Sequence, residues 1–188
     1  MPTRRVLFAA VAATALLAGA ASHAGATQTV LIGGGVEGSV HTQAARQICT
    51  LVEERAGDEY GCMPRTAPGS AFNIRAIDIG LMEFGLVRSE RVREAVAGSG
   101  AWRGEPVAAL RAVFSLHPED VLLVTGADVA DDLVYAVAQS VFESFAAFRS
   151  AHPALRGLDP AAMLQDLAAS LHAGAARYYG ERGWLEAQ

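Results

Sequence analysis

Two hydrophobic periods alternate along this chain. Val30 to Ile32 is a short apolar run, read as a strand, and Val40, Ala44, Ile48, Leu51 and Val52 then recur on one face of a helix. Ser39 stands where an N-cap belongs, and Glu53, Glu54, Arg55 and Gly57 close that helix in solvent. A second strand is expected over Cys62 to Thr66. Pro68-Gly69-Ser70 then opens a short helix that turns Ala71, Ile74 and Ile77 inward. Phe84 to Val87 reads as a third strand, and Glu90 to Ala97 as a helix with Val92 and Val96 on one side. A Gly-rich loop to Glu105 leads into strands at Leu110 to Leu116 and Val121 to Thr125. The last third is helical. Asp131 caps a long helix with a stripe from Val134 to Phe148, Asp159-Pro160 opens another, and a final one runs from Leu171 to Arg182 with Gly183 as its stop. Strands alternating with helices predict an α/β fold, a mostly parallel sheet covered on both faces, with a helical C-terminal third.

The first residues do not belong to that fold. Arg4 and Arg5 precede an apolar run from Val6 to Ala18, and Ala24-Gly25-Ala26 has the small-residue pattern of a cleavage site. Residues 1–26 therefore read as a secretory signal peptide, leaving one lobe over 27–188 and a periplasmic location. The run is short for a membrane span of about 20 residues.

Export changes the charge. The whole chain carries 15 basic residues, all Arg, against 20 acidic ones, a net charge of −5. Without Arg4 and Arg5 there are 13 against 20, a net charge of −7, which repels phosphate backbones and argues against nucleic acid as a partner. Export also puts Cys49 and Cys62 in an oxidising compartment, so a disulfide between the first helix and the second strand is expected over two buried thiols. Their spacing does not fit a metal site.

Gly33, Gly35 and Gly38 follow the first strand in the pattern G-x-G-x-x-G. Strand, glycines and helix start make an anion site, because unpaired backbone N–H groups and the helix dipole favour negative charge there. A dinucleotide would also need an acidic residue at the end of the second strand for its ribose, and that strand ends at Arg65-Thr66. No cofactor is expected. A G-x-S-x-G elbow, an H-E-x-x-H pair and a Cys-His signature are all missing, so no enzymatic activity is expected either.

The stretch VLIGGGVEGSVHTQAARQICTLV resembles the start of the TAXI-type solute receptors of TRAP transporters. The similarity continues, in order, through TAPGSAFNIRAI, EFGLVRSE and LRAVFSLHPE, then ADVADDLVYAVAQSVFESF, HPALRGLDP and LHAGAARYYGERG. The resemblance implies a type II periplasmic-binding-protein-like lobe, a small carboxylate ligand such as glutamate or 2-oxoglutarate, and TRAP membrane subunits as partners. Family ligand contacts fall on Gly34, Gly35, Val36, Gly38 and Ser39, on Thr66, Gly69 and Ser70, and on Arg88 and Ser89.

The departures from the family carry information too. Its Tyr-Tyr-Pro is replaced by Val40-His41-Thr42, and Glu37 lies inside the anion loop, where it either repels a carboxylate or faces solvent. Arg88 either forks onto a carboxylate or pairs with Glu90 or Asp120. His41 is the only histidine beside the expected pocket. His117, His152 and His172 read as structural, Tyr178 and Tyr179 as packing residues, and Trp102 as a cover over a surface gap. His117-Pro118-Glu119 runs almost directly into the strand at Val121, as though two crossings between lobes were fused and the middle domain lost. An exposed former cleft would favour a homodimer or docking on a membrane transporter or sensor. The alternative to a receptor is thus a ligand-free interaction lobe.

Overall fold

The computed structural model describes residues 27–116 and 118–185. The expected signal peptide and His117 lie outside the described residues.

Five strands form one sheet: β1 (Gln28–Gly33), β2 (Tyr60–Arg65), β3 (Phe84–Arg88), β4 (Leu110–Ser115) and β5 (Val121–Gly126), in the order β2-β1-β3-β5-β4. β1 pairs in parallel with both β2 and β3, while β5 runs antiparallel between β3 and β4. Four strands therefore point one way and β5 returns against them. The helices are α1 (Val40–Ala56), α2 (Ser70–Asp78), α3 (Ser89–Ala97), α4 (Asp131–Glu143), α5 (Phe145–Ser150) and α6 (Ala173–Glu181).

The pleat sorts side chains onto two cores, since alternate residues of a strand face opposite sides. Val30, Ile32, Phe84, Leu86, Val121 and Leu123 face the larger core, built with α1, α4, α5 and α6. Val87, Ala112, Leu122 and Val124 face the smaller one, with Ile74 and Ile77 of α2, Val92 and Ala95 of α3, and Trp102. Trp102 is fully buried here, not a cover over a surface gap: the turn Gly100–Trp102 folds its indole under the sheet. Ala71 and Val96 are exposed, and Asn73 and Ala76 take the inward positions of α2 instead. Tyr178 and Tyr179 pack in the larger core, edge to face with Phe142 or with each other.

Three of the expected helices differ in extent. The long helix breaks at Ser144, whose ψ of 32° ends α4 before α5 begins. Asp159 does accept N–H bonds from Ala161 and Ala162, but the helix it opens is one 3-10 turn, Ala162–Leu164. Gln165 is extended and Asp166 has φ 52°, so the backbone cannot continue as a helix. The final helix starts at Ala173, because Leu171 bridges to Ala112 at the sheet edge and His172 becomes the cap.

Cys49 and Cys62 are joined, tying α1 to the edge strand β2. A loop of this length removes about 3 kcal/mol of unfolded-state entropy. Among the described residues no helix is long and apolar enough to cross a membrane.

Candidate functional site

β1 and β3 end side by side, and the chain leaves them toward α1 and α3, while α2 starts between. Sheets of this kind present their ligand crevice where neighbouring strands send their connections opposite ways. A cleft of about 310 Å³ lies at this point. Gly34, Gly35, Val36 and Ser39 form one wall, Gly69 and Ser70 the other, and Arg88 closes the end, with His41, Pro68 and Leu86 completing the lining. A shallower hollow of about 550 Å³ shares Gly69, Ser70 and Arg88 and extends past Phe72 and Glu90. Gly38, Thr66 and Ser89 do not line the cleft. Gly38 is exposed at the loop tip, Thr66 is exposed beyond β2, and Ser89 is buried beside Asp120 in a separate depression.

The loop is braced from below. Asn73, fully buried on α2, donates its amide N–H groups to Gly34 O at 2.8 Å and Leu86 O at 3.0 Å, with Gly33 O at 3.3 Å sharing them. One side chain thus fastens the ends of β1 and β3 to the start of α2. Gly33 is glycine for this reason: a Cβ there would fall 2.5 Å from Asn73 Oδ1. Nothing in the hydrophobic pattern marks Asn73. Its only signal is a polar residue within an otherwise apolar helix face.

The start of α1 is largely self-satisfied. Thr42 Oγ1 accepts the Gly35 N–H at 3.2 Å and lies within reach of Gly35 O and Val36 O at 2.9 and 2.8 Å. Ser39 Oγ accepts the Thr42 N–H at 3.3 Å, and Gly34 N–H donates to Arg65 O. Val40 and His41 N–H groups keep no partner among the described residues. At α2 the cap is Gly69, with φ 148°, a conformation glycine alone adopts readily, and no side chain covers the Ser70 and Ala71 N–H groups. Ser70 Oγ instead accepts the Arg88 N–H at 3.1 Å, linking α2 to the end of β3.

The charges resolve two open points. Glu37 faces away from the cleft, gripped by Arg46 at 2.7 and 2.9 Å on the exposed side of α1. It is therefore no barrier to an anion. Arg88 is exposed and makes no ion pair among the described residues, neither with Glu90 nor with Asp120. His41 is held below its ordinary pKa, first by burial and then by the neighbouring Arg88, with Glu119 opposing. Two helix starts and one guanidinium thus converge on a small crevice, an arrangement suited to a compact anion. Among the described residues no group of three His, Cys, Asp or Glu is placed to hold a metal.

Comparison with curated proteins gives no match. The sequence model of the NMT1-like family matches residues 32–125 and 119–183, two stretches that share 119–125 and so take in most of β5 twice. Between them they span the glycine loop, both helix starts, the whole sheet beyond the first residues of β1, and α6. The chain therefore belongs to the NMT1-like family, a periplasmic-binding-like family related to solute-binding proteins.

Proposed function

We propose that this chain is an exported solute receptor of the TAXI type that captures a small organic acid, such as glutamate or 2-oxoglutarate, for the membrane subunits of a TRAP transporter. The observation that carries the reading is the convergence on one cleft of the open start of α2, the start of α1 and Arg88, which has no ion pair among the described residues. Family membership supports the solute-binding part, and such families are typically periplasmic. In this reading the protein binds and releases; it does not transform its ligand.

The receptor is one lobe. β5 stands for both crossings of a two-lobed clamp, a reading supported by the double match of 119–125. An open lobe leaves one side of the ligand wet. Losing about half of the polar contacts costs several kcal/mol, on the order of a thousandfold in affinity. Capture at millimolar rather than micromolar concentration follows.

Isothermal titration of the chain with glutamate, 2-oxoglutarate and succinate tests this. Saturable binding that weakens about thirtyfold in Arg88→Gln, the loss of about 2 kcal/mol for a charge-assisted hydrogen bond, is the expected result. No binding to any of the three at millimolar concentration would overturn it. A second reading, an interaction lobe without a ligand, draws on Val36 and Phe72, which are 62% and 47% exposed beside the cleft. It requires a dimer or a copurifying partner, which ultracentrifugation of the isolated chain would reveal.

A further inference from the structure

His41 lines the cleft from the first turn of α1. A Cβ on Gly35 would lie 3.3 Å from His41 Cβ and 3.6 Å from His41 Cγ, so the His41 side chain lies close against the glycine loop. The ring makes no hydrogen bond among the described residues and shares the cleft with Arg88. Of the elements around it, β3 contributes the Arg88 charge and the turn before β5 contributes Glu119. The start of α2 and the turn before it present only Pro68, Gly69 and Ser70 there, and the loop after β1 only Gly34, Gly35, Val36 and Ser39. Glu37, the remaining acid of the loop, is taken by Arg46.

We infer that an anion bound in this cleft is captured together with one proton on the His41 ring. The inference rests on the cleft being the ligand site. In the empty cleft the ring is neutral near pH 7, since burial and Arg88 both oppose a second positive charge. A carboxylate seated between the helix starts and Arg88 reverses that balance. It offsets the guanidinium and accepts a hydrogen bond from the imidazolium. Water supplies the proton, no covalent bond changes, and release of the ligand returns the proton. Binding that takes up a proton strengthens as pH falls, by up to tenfold per unit between the pKa of the ring in the complex and its lower value in the empty cleft. The site would load in acidic surroundings and unload at neutral pH.

The test is titration calorimetry with glutamate and with 2-oxoglutarate at pH 5.5 and 7.5, each in two buffers of different ionisation enthalpy. Both probes have ionised carboxylates above about pH 5, so they add little pH dependence of their own. Circular dichroism at both pH values checks that the fold is intact. The expected result is at least tenfold tighter binding at pH 5.5 and up to one proton taken up per ligand at pH 7.5. In His41→Gln binding should persist with less than about twofold pH dependence. In Arg88→Gln binding should weaken while a pH dependence remains, because the His41 ring is still there to take up the proton. Binding without proton uptake, or the same uptake in His41→Gln, would overturn the inference and leave the anion site standing. No binding by either probe at either pH would overturn both.

Discussion

The two helices that open on the cleft begin differently. α1 follows the glycine pattern and has a side-chain cap: Thr42 and Ser39 hydroxyls take the Gly35 and Thr42 N–H groups, and Gly34 is bonded to β2, while the Val40 and His41 N–H groups stay open among the described residues. α2 follows Pro68-Gly69-Ser70 and begins without a side-chain cap, with Gly69 offering no side chain and Ser70 turned to the Arg88 backbone. The glycine loop itself is thus mainly a rigid wall, each helix start leaves two N–H groups open, and Arg88, tied to α2 through Ser70, adds its positive charge. A glycine fingerprint alone records where a backbone must pass closely; it does not record which amides stay free.

Four changes would break or sharpen this contrast. Gly34→Ala should have the largest effect, because its Cβ would meet Thr42 Cα at 2.8 Å, and backbone yields less than a side chain. A loss of about 3 kcal/mol in urea unfolding is expected, and a loss under about 1 would contradict the rigid wall. Thr42→Val keeps the shape but strands the buried Gly35 N–H, for a loss of about 2 kcal/mol by the same measurement. At α2, Gly69→Ala meets nothing within 4 Å, so only the strained φ acts. About 1–2 kcal/mol of stability should be lost, with anion binding weakened as the α2 start shifts, seen by calorimetry.

The start of α6 gives the smallest effect. His172 Nδ1 accepts the Gly174 N–H at 3.1 Å, so this cap works only with that nitrogen unprotonated. Burial, the largest cause, holds the His172 pKa below its ordinary 6.5, against the pull of Asp131. The unfolded chain therefore binds the proton more readily. The cap's contribution is complete above pH 6.5 and is lost as pH falls through the lower folded value. Thermal melts should show this fall between pH 7.5 and 5, and His172→Asn, which keeps an acceptor for the cap, should flatten it. An unchanged slope in the variant would place the titration elsewhere.

Much of the fold was legible in periodicity. Val30 and Ile32, the α1 stripe, and the strands at Phe84 and Val121 follow patterns dictated by burial on one or both faces. The 3-10 turn after Asp159 was not, since a cap signal marks the start of a helix and says nothing of Asp166, whose positive φ turns the chain away. Trp102 misled because a glycine-rich surround suggests surface, whereas the indole fills the smaller core. In the cleft, the loop and helix starts were marked by glycines and hydroxyls. Asn73 was not, because its role depends on three carbonyls brought together from β1, its following loop and β3. The orientation of Glu37 likewise depended on Arg46, nine residues away on α1.

The most direct measurement of the central claim is an amide ¹H–¹⁵N titration of the chain with 2-oxoglutarate to tens of millimolar. The account predicts saturable shifts concentrated on the amides of Val40, His41, Ser70 and Ala71, with smaller changes at Gly34 and Gly35, whose N–H groups are already bonded. Shifts confined to other surfaces, or none at all, would contradict it.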